Sequence, residues 1–490
     1  MSNQILSLNP NAVWKHFHSL TQIPRPSKKE TKIIEFMKDF GESLGLETIV
    51  DSVGNVIIRK PATPGMEDRK GVILQSHLDM VPQKNSDKIH DFEKDPIETI
   101  IDNGWVRANG TTLGADNGMG VAAIMAVLES KDIAHGPVEA LFTIDEETGM
   151  TGAFQLKPGL LHGDILLNLD SEDEGELYFG CAGGIDGNFT FPFKKENTEN
   201  NTVALKVSVT GLKGGHSGLD ISLGRGNSCK ILTRLVWHGV KDHGLRLSYI
   251  EAGNMRNAIP REGYAIITLP AGEKSKYIQC INELSNSIKA ELSVTEPGLN
   301  ISITETEMPE YLMDGDTQNR MLRAVYGCPS GVIRMSDAMV GLVETSTNLS
   351  IISTEKDQIV IRCLLRSSVN SAKADLAIMM GSIFELAGAN VLFEGEYPGW
   401  KPNPESPILK TMQNVYNQRF GKVPEIKAIH AGLECGLLGA VYPNWDMISF
   451  GPTIRSPHSP DEKVNIDSVE KFWIYLTETL KNIPEKSVIA

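Results

Sequence analysis

Gly71-Val72-Ile73-Leu74-Gln75-Ser76-His77-Leu78-Asp79 opens on an apolar run and ends in a histidine and an acid. A short continuous run of this kind reads as a strand buried on both faces, as in a parallel sheet covered by helices. The arrangement recurs at Val138 to Ile144 before Asp145-Glu146-Glu147, at Ile165 to Leu169 before Asp170, and at Met447 to Phe450 before His458, with Asp116 in the turn Gly114-Ala115-Asp116. In an open α/β sheet, side chains at the carboxyl ends of strands converge on one crevice, however far apart they lie in sequence. Here the crevice would hold two histidines and a group of acids, too much charge to bury unpaired, and a pair of divalent cations is the natural explanation.

Working outward, Ser27-Lys28-Lys29-Glu30 is a capping-box pattern, and Ile33, Ile34, Met37, Phe40 and Leu44 follow at helical spacing. Val56-Ile57-Ile58 predicts a strand, and Val121 to Ser130 a short helix opened by glycines. After Cys181-Ala182-Gly183-Gly184 the texture changes. Thr202 to Val209 alternates apolar with polar, as in a half-buried antiparallel strand; Cys229 to Val240 predicts a helix and Ala265 to Leu269 another strand. A strand, strand, helix, strand order recurs from Leu349 to Phe393, and Pro398, Gly399, Pro402 and Pro404 mark a return. The expected fold class is therefore α/β, a sheet domain of residues 1–184 and 398–490 interrupted at 185–397 by an inserted α+β domain with an internal repeat.

A chain of 490 residues holds two or three domains with full cores. Its 47 basic and 62 acidic residues leave a net charge of −15, and no basic cluster interleaved with aromatics appears, so neither nucleic acid nor an anionic membrane is expected as a partner. Cysteines 181, 229, 280, 328, 363 and 435 form no CxxC pair and read as buried, reduced thiols. Met1 to Asn11 lacks the basic flank and apolar core of a signal peptide, and no apolar run approaches the ~20 residues of a membrane span, so the cytoplasm is the expected compartment.

His77-Leu78-Asp79, Leu113 to Gly118, Glu146-Glu147-Thr148-Gly149, Asp170 and His458 resemble the metal-site motifs of the M20 family of dinuclear metallopeptidases. Ile23-Pro24-Arg25-Pro26, Gly214-Gly215-His216-Ser217-Gly218 and His430-Ala431-Gly432-Leu433-Glu434-Cys435-Gly436 narrow the resemblance to the Xaa-His dipeptidase branch, also called aminoacyl-histidine dipeptidases. The resemblance implies a catalytic α/β domain of zinc-peptidase type split by a lid, with a small peptide as substrate. The usual lid of the family is about half as long as residues 185–397, and the extra length would let one chain supply in cis what shorter relatives take from a partner's lid. The resemblance also allows a homodimer.

In His77-x-Asp79, two residues along an extended chain return to the same face, so Asp79 can support the imidazole and set its tautomer. By resemblance Asp116 bridges both ions; a rival reading of Gly118-x-Gly120-x-x-Ala123 as a dinucleotide fingerprint lacks the strand required directly before the glycines. Glu146 and Glu147 are adjacent and cannot both face one atom, which suits Glu147 as ligand and Glu146 as general base. Asp170 would complete one ion's shell with His77 and Asp116, and His458 the other's with Glu147 and Asp116. Glu172, Asp173, Glu174 and Glu176 read as a solvated acidic turn. The resemblance gives His216 the oxyanion, and Asn257 and Arg366 the substrate carboxylate. Glu434 receives the substrate amino group or is a structural acid, and both readings stand.

The expected activity is hydrolysis of dipeptides with free termini, Xaa-His dipeptides such as β-Ala-His among them, with two divalent ions per chain. Histidine and carboxylate ligands accept Zn2+, Co2+ and Mn2+ alike. An aminotripeptidase or N-acyl amino acid deacylase would keep the same ligands, and a non-catalytic metal or peptide-binding protein would need neither Glu146 nor His216.

Overall fold

The computed structural model describes residues 2–486; Met1 and residues 487–490, the two ends of the expected catalytic segments, lie outside the described residues. The chain forms two compact units. The first takes the residues up to Gly180, Pro402–Ala428 and the residues from Leu433 on; the second takes Cys181–Lys401 and Ile429–Gly432. The joints expected after residues 184 and 397 fall a few residues inside the second unit, and the assignment of residues 429–432 to it has no local sequence signal.

The first unit is built on an eight-stranded sheet in the order Glu47–Val50, Val56–Lys60, Val138–Thr143, Val72–His77, Ile165–Asn168, Asp446–Ser449, Glu176–Cys181, Glu425–Ile429. The four central strands are mutually parallel, pairing Val72 with Val138 and Ile165, and Asp446 with Ile165. Val72–His77 and Val138–Thr143 are buried at every position, as continuous apolar runs require. The helix Ala115–Glu129 is apolar all round because it packs on the strand Val72–His77 and is covered by the helices Asn11–Thr21 and Ile466–Lys481. Its glycines serve that close approach: a Cβ on Gly120 would meet the Leu169 carbonyl oxygen at 2.7 Å, and one on Gly118 the Arg25 guanidinium at 2.6 Å. They are not a phosphate loop.

The capping box expected at Ser27 to Glu30 does not form. The helix Thr31–Ser43 begins without a side-chain cap, and the Ser27 hydroxyl donates to the Asp79 carboxylate at 2.8 Å. Glu30 accepts from the amides of Lys28 (2.9 Å) and Asp145 (3.1 Å). A fully buried carboxylate needs donors more than a solvated helix terminus needs an acceptor, so the long-range bonds win.

The second unit carries a nine-stranded sheet whose main path runs Asn300–Glu305, Thr202–Thr210, Gly263–Pro270, Arg246–Ala252, Val343–Glu355, Gln358–Ser367, Gly183–Pro192, Asn390–Tyr397, with Gly331–Met335 paired to Val343–Glu355. The path divides between Arg246–Ala252 and Val343–Glu355. Counting strands within each half in chain order, both halves run fourth, first, third, second from the outer edge inward. Each half places helices between its first and second and its third and fourth strands: Ser228–His243 and Lys274–Glu291 in one, Gly315–Gly327 and Asn370–Leu386 in the other. The halves join antiparallel through Glu251 opposite Ser353 and Ala252 opposite Ile352. Five cysteines are buried, and Cys280 is half-buried rather than buried as expected.

Candidate metal centre

Three parallel strands deliver their next residues to one place at their carboxyl ends. His77 is the last residue of its strand, and Asp79 follows by two. Beyond Val138–Thr143, Asp145 turns the chain at φ 52° and opens the short helix Glu146–Gly149. Its carboxylate is gripped by the hydroxyls of Thr148 and Thr151, and its amide by Glu30, so the turn that aims Glu146 and Glu147 is itself pinned. Asp170 follows Ile165–Asn168. Asp116 sits in a non-helical start to its helix (φ −80°, ψ 111°), and His458 lies in a turn where Ser456 and His458 both take left-handed φ, 53° and 60°.

Asp116 lies between two histidines. Its Oδ1 is 3.2 Å from His77 Nε2 and its Oδ2 3.2 Å from His458 Nε2. Each histidine then meets a second acid: Asp170 Oδ1 is 3.4 Å from His77 Nε2, and Glu147 Oε2 is 2.9 Å from His458 Nε2. The groups His77, Asp116, Asp170 and Asp116, Glu147, His458 each bring one donor atom apiece within 4.8 Å of one another, as does His77, Glu146, Glu147. The donor chemistry fits two divalent cations sharing one carboxylate, and the buried Glu147 Oε1 has no hydrogen-bond partner among the described residues, a site a cation would satisfy.

Behind the ligands, Asp79 fixes the His77 ring. It is fully buried, with Oδ1 3.3 Å from His77 Nδ1, and it accepts from Ser27 Oγ and from the amides of Glu146 (3.0 Å) and Glu147 (3.3 Å). Nδ1–H toward Asp79 leaves the Nε2 lone pair facing Asp116 and Asp170. Burial alone would raise the Asp79 carboxyl, but the hydrogen bonds from His77, Ser27 and the Glu146 amide hold it down at about 2. Without a cation, His458 is raised to about 11, first by its hydrogen bonds to Asp116 and Glu147. His77 also lies well above its ordinary value: burial opposes this, but the Asp170 charge and the hydrogen bonds to Asp116, Asp170 and Asp79 outweigh it. Glu146 is pushed well above the usual range, chiefly by burial and then by Asp170, Glu434 and Glu147, with His77 opposing.

Glu434 lies in the same unit, fully buried, with Oε2 accepting from Gln75 Nε2 (2.6 Å) and Thr143 Oγ1 (2.8 Å) and Oε1 unpartnered. The acidic stretch expected to be a solvated turn is half-buried and largely paired. Asp173 meets Arg455 at 2.6 Å, Glu174 accepts from the Tyr416 hydroxyl, and Glu176 meets Lys427. Burial, then the neighbouring Asp116 and Asp170, lift Glu172 to about 8. These partners come from residues 416–455, which no local reading of residues 172–176 could supply.

The second unit holds the other expected residues. Gly215–His216 pairs with Ala258–Ile259, and His216 Nδ1 accepts from the amides of Gly218 (3.1 Å) and Leu219 (3.0 Å). Two donors on Nδ1 place the proton of the neutral ring on Nε2. Burial and then Arg366 lower its pKa, which keeps it neutral. Arg366 is buried, donates from Nη1 to the Tyr397 hydroxyl at 2.9 Å, and leaves Nε without a partner. Asn257 is exposed, and its carbonyl accepts from the Ser217 amide at 2.9 Å. Sequence reasoning gave no role to His430, whose Nε2 lies 2.7 Å from Ser346 Oγ, or to Tyr397. It gave Arg25 and Glu462 no part in the centre and Ser27 only a helix cap; the spacing from His458 to Glu462, one helical turn, was the available signal for Glu462.

Residues 73–482 match the profile of Peptidase family M20/M25/M40. The cytosol non-specific dipeptidase of Escherichia coli (strain K12) is 44% identical over 484 residues, covering 99% of this chain and 100% of that protein. The crystal structure of aminoacylhistidine dipeptidase from Vibrio alginolyticus matches with a TM-score of 0.95 at 48% identity, covering 99% of this chain and 100% of that one. Aminopeptidase PepT from Bacillus cereus, at 16% identity and a TM-score of 0.57 over 97% of this chain and 99% of that one, shares the fold.

Proposed function

The chain belongs to peptidase family M20/M25/M40, and from that premise we propose that it hydrolyses dipeptides with free amino and carboxyl termini, Xaa-His dipeptides such as β-Ala-His among them, at a two-metal centre. Peptidases of this family are metal-dependent hydrolases of peptide bonds, and this chain is one of them. The observation that carries the two-metal reading is Asp116, one carboxylate between two histidines that each face a further acid. His77, Asp116 and Asp170 would hold one ion, and Asp116, Glu147 and His458 the other. Zn2+ is the first candidate, and Co2+ and Mn2+ suit the same donors.

Bound there, the ions would polarise the scissile carbonyl and acidify the attacking water. Glu146 takes the proton from that water and returns it to the leaving amine, a double duty that its raised pKa supports. Asp79 keeps His77 in the ligating tautomer. In this reading the second unit acts as a lid: His216 Nε2–H donates to the oxyanion, and Arg366, with Asn257, takes the substrate carboxylate, using the guanidinium donor left unpaired. Glu434 serves as a buried acid beside the site. A cytoplasmic location is proposed with it, since the Escherichia coli relative is named a cytosol enzyme and among the described residues no helix is long and apolar enough to cross a membrane. A homodimer is compatible with this scheme.

The test is a panel of Xaa-His and Xaa-Leu dipeptides, their N-acetyl derivatives and tripeptides, assayed with metal-stripped protein and after addition of Zn2+, Co2+ or Mn2+. The reading requires metal-restored cleavage of free dipeptides above all others. Preferential turnover of tripeptides or N-acyl substrates would replace it.

A further inference from the structure

Glu462 is fully enclosed in the first unit. Its carboxylate accepts four successive backbone amides: Oε2 takes those of Leu113 (2.7 Å) and Gly114 (2.9 Å), and Oε1 those of Ala115 (2.7 Å) and Asp116 (3.1 Å). A carboxylate offers about four lone-pair sites, so this one is saturated by a single turn of backbone. That turn carries Asp116. Gly114 sits at φ 69°, a left-handed position where the added Cβ of any other residue would come within 2.6 Å of the Arg25 guanidinium. Arg25, also buried, donates to the carbonyls of Leu78 (2.9 Å) and Asp79 (3.0 Å) and to that of Gly114. The amides of the turn are thus held from one side by an anion and a carbonyl from the other by a cation.

Glu462 also belongs to the segment that bears His458. Directly after His458 the chain from Ser459 to Glu462 closes on itself, with the Glu462 amide donating to the Ser459 carbonyl at 2.9 Å and the Asp461 amide to Ser459 Oγ at 3.2 Å. His458 itself is about half exposed, and its ring meets Asp116 and Glu147. Packing therefore does little to hold it. We propose that Glu462 is a positioning residue: by clamping the Leu113 to Asp116 backbone while anchoring the turn that carries His458, it sets both the shared carboxylate and the exposed histidine for the second ion. Of the first ion's other ligands, His77 ends its own strand and is faced by Asp79, and Asp170 lies two residues past Ile165–Asn168 and accepts from Asn117.

This inference rests on the two-metal reading, and one experiment separates the two. Wild type, Glu462→Gln and Glu462→Asp are stripped with chelator and titrated with Co2+, followed by visible absorbance and calorimetry, with circular dichroism of the metal-free proteins as the check of folding. Glutamine keeps one acceptor oxygen but turns an NH2 toward two amides; aspartate keeps the charge but is one methylene short. Wild type should take up two ions. In the variants the second ion, which depends on both Asp116 and His458, should bind about 10–100-fold more weakly, the scale for losing a group that orients a ligand, and the first, which shares only Asp116 with it, should weaken clearly less. The aspartate variant should fall between glutamine and wild type. A purely structural role would lower stability and leave both affinities unchanged, or weaken both alike; either result in a folded variant overturns the proposal. If glutamine does not fold, the aspartate titration decides by the same criterion. Fewer than two ions in wild type would overturn the two-metal reading, and this inference with it.

Discussion

Asp79→Asn removes one charge from the floor of the centre while changing almost no volume. The carboxylate serves Ser27 Oγ and the Glu147 amide on Oδ2 (2.8 and 3.3 Å), and the Glu146 amide and His77 Nδ1 on Oδ1 (3.0 and 3.3 Å). An asparagine retains one acceptor. In its less costly orientation the oxygen stays with Glu146 and His77, the Ser27 hydroxyl reverses to accept from the new NH2, and the Glu147 amide loses its acceptor. An unsatisfied buried donor costs about 1–3 kcal/mol. The ionised form is favoured by the depression from 3.8 to about 2, which corresponds to about 2–3 kcal/mol, lost with the charge. Since His77 and both glutamates take their orientation from this group, metal affinity should fall about 10–100-fold, and turnover at saturating metal at least about 10-fold. Ser27→Ala, which deletes one hydrogen bond worth about 1 kcal/mol, should lower affinity only about fivefold. The assay is competition with a chromophoric chelator, followed by dipeptide kinetics in excess metal. An Asp79→Asn protein within twofold of wild type in both would refute the reasoning.

Glu146→Gln should keep both metals by elemental analysis and lose most turnover, whereas Glu147→Ala should lose metal as well; metal loss in the first variant contradicts the assignment. His216→Ala should lower kcat by about 10²–10³ with metal content intact, and Arg366→Ala should raise KM most for free-carboxylate dipeptides; normal kinetics in both would remove the lid's chemistry. Because His458 is raised to about 11 in the metal-free protein, metal uptake at neutral pH should release protons and affinity should rise with pH. Calorimetry in buffers of different ionisation enthalpy checks this, and a buffer-independent heat sinks it. Burial, then the charge of Arg366, depress His430 to about 3 from 6.5, so the unfolded chain binds its proton first. The stability from the neutral ring is complete above pH 6.5 and is lost as pH falls toward 3, about 2 kcal/mol of it by pH 5. The stability gap between wild type and His430→Asn should narrow by that amount between pH 7.5 and 5, and an unchanged gap contradicts the argument.

What the chain declares by itself is what neighbouring residues can encode. Val72 to Leu74, Val138 to Phe142 and Ile165 to Leu167 announce buried strands because a strand covered on both faces is apolar at every position, and the polar residues that end such runs are at the rim of the sheet by necessity. With the parallel order of a doubly wound sheet, that was enough to gather His77, Asp116, Glu146, Glu147, Asp170 and His458 at one place. Tertiary structure alone decided where the buried polar groups find partners. Ser27 leaves its helix for Asp79, Glu176 meets Lys427, and Glu462 reaches back to amides almost 350 residues earlier. Each bond forms because burial makes an unpaired group costly, and the partner that relieves the cost is whichever one the fold brings near, a fact no local spacing records.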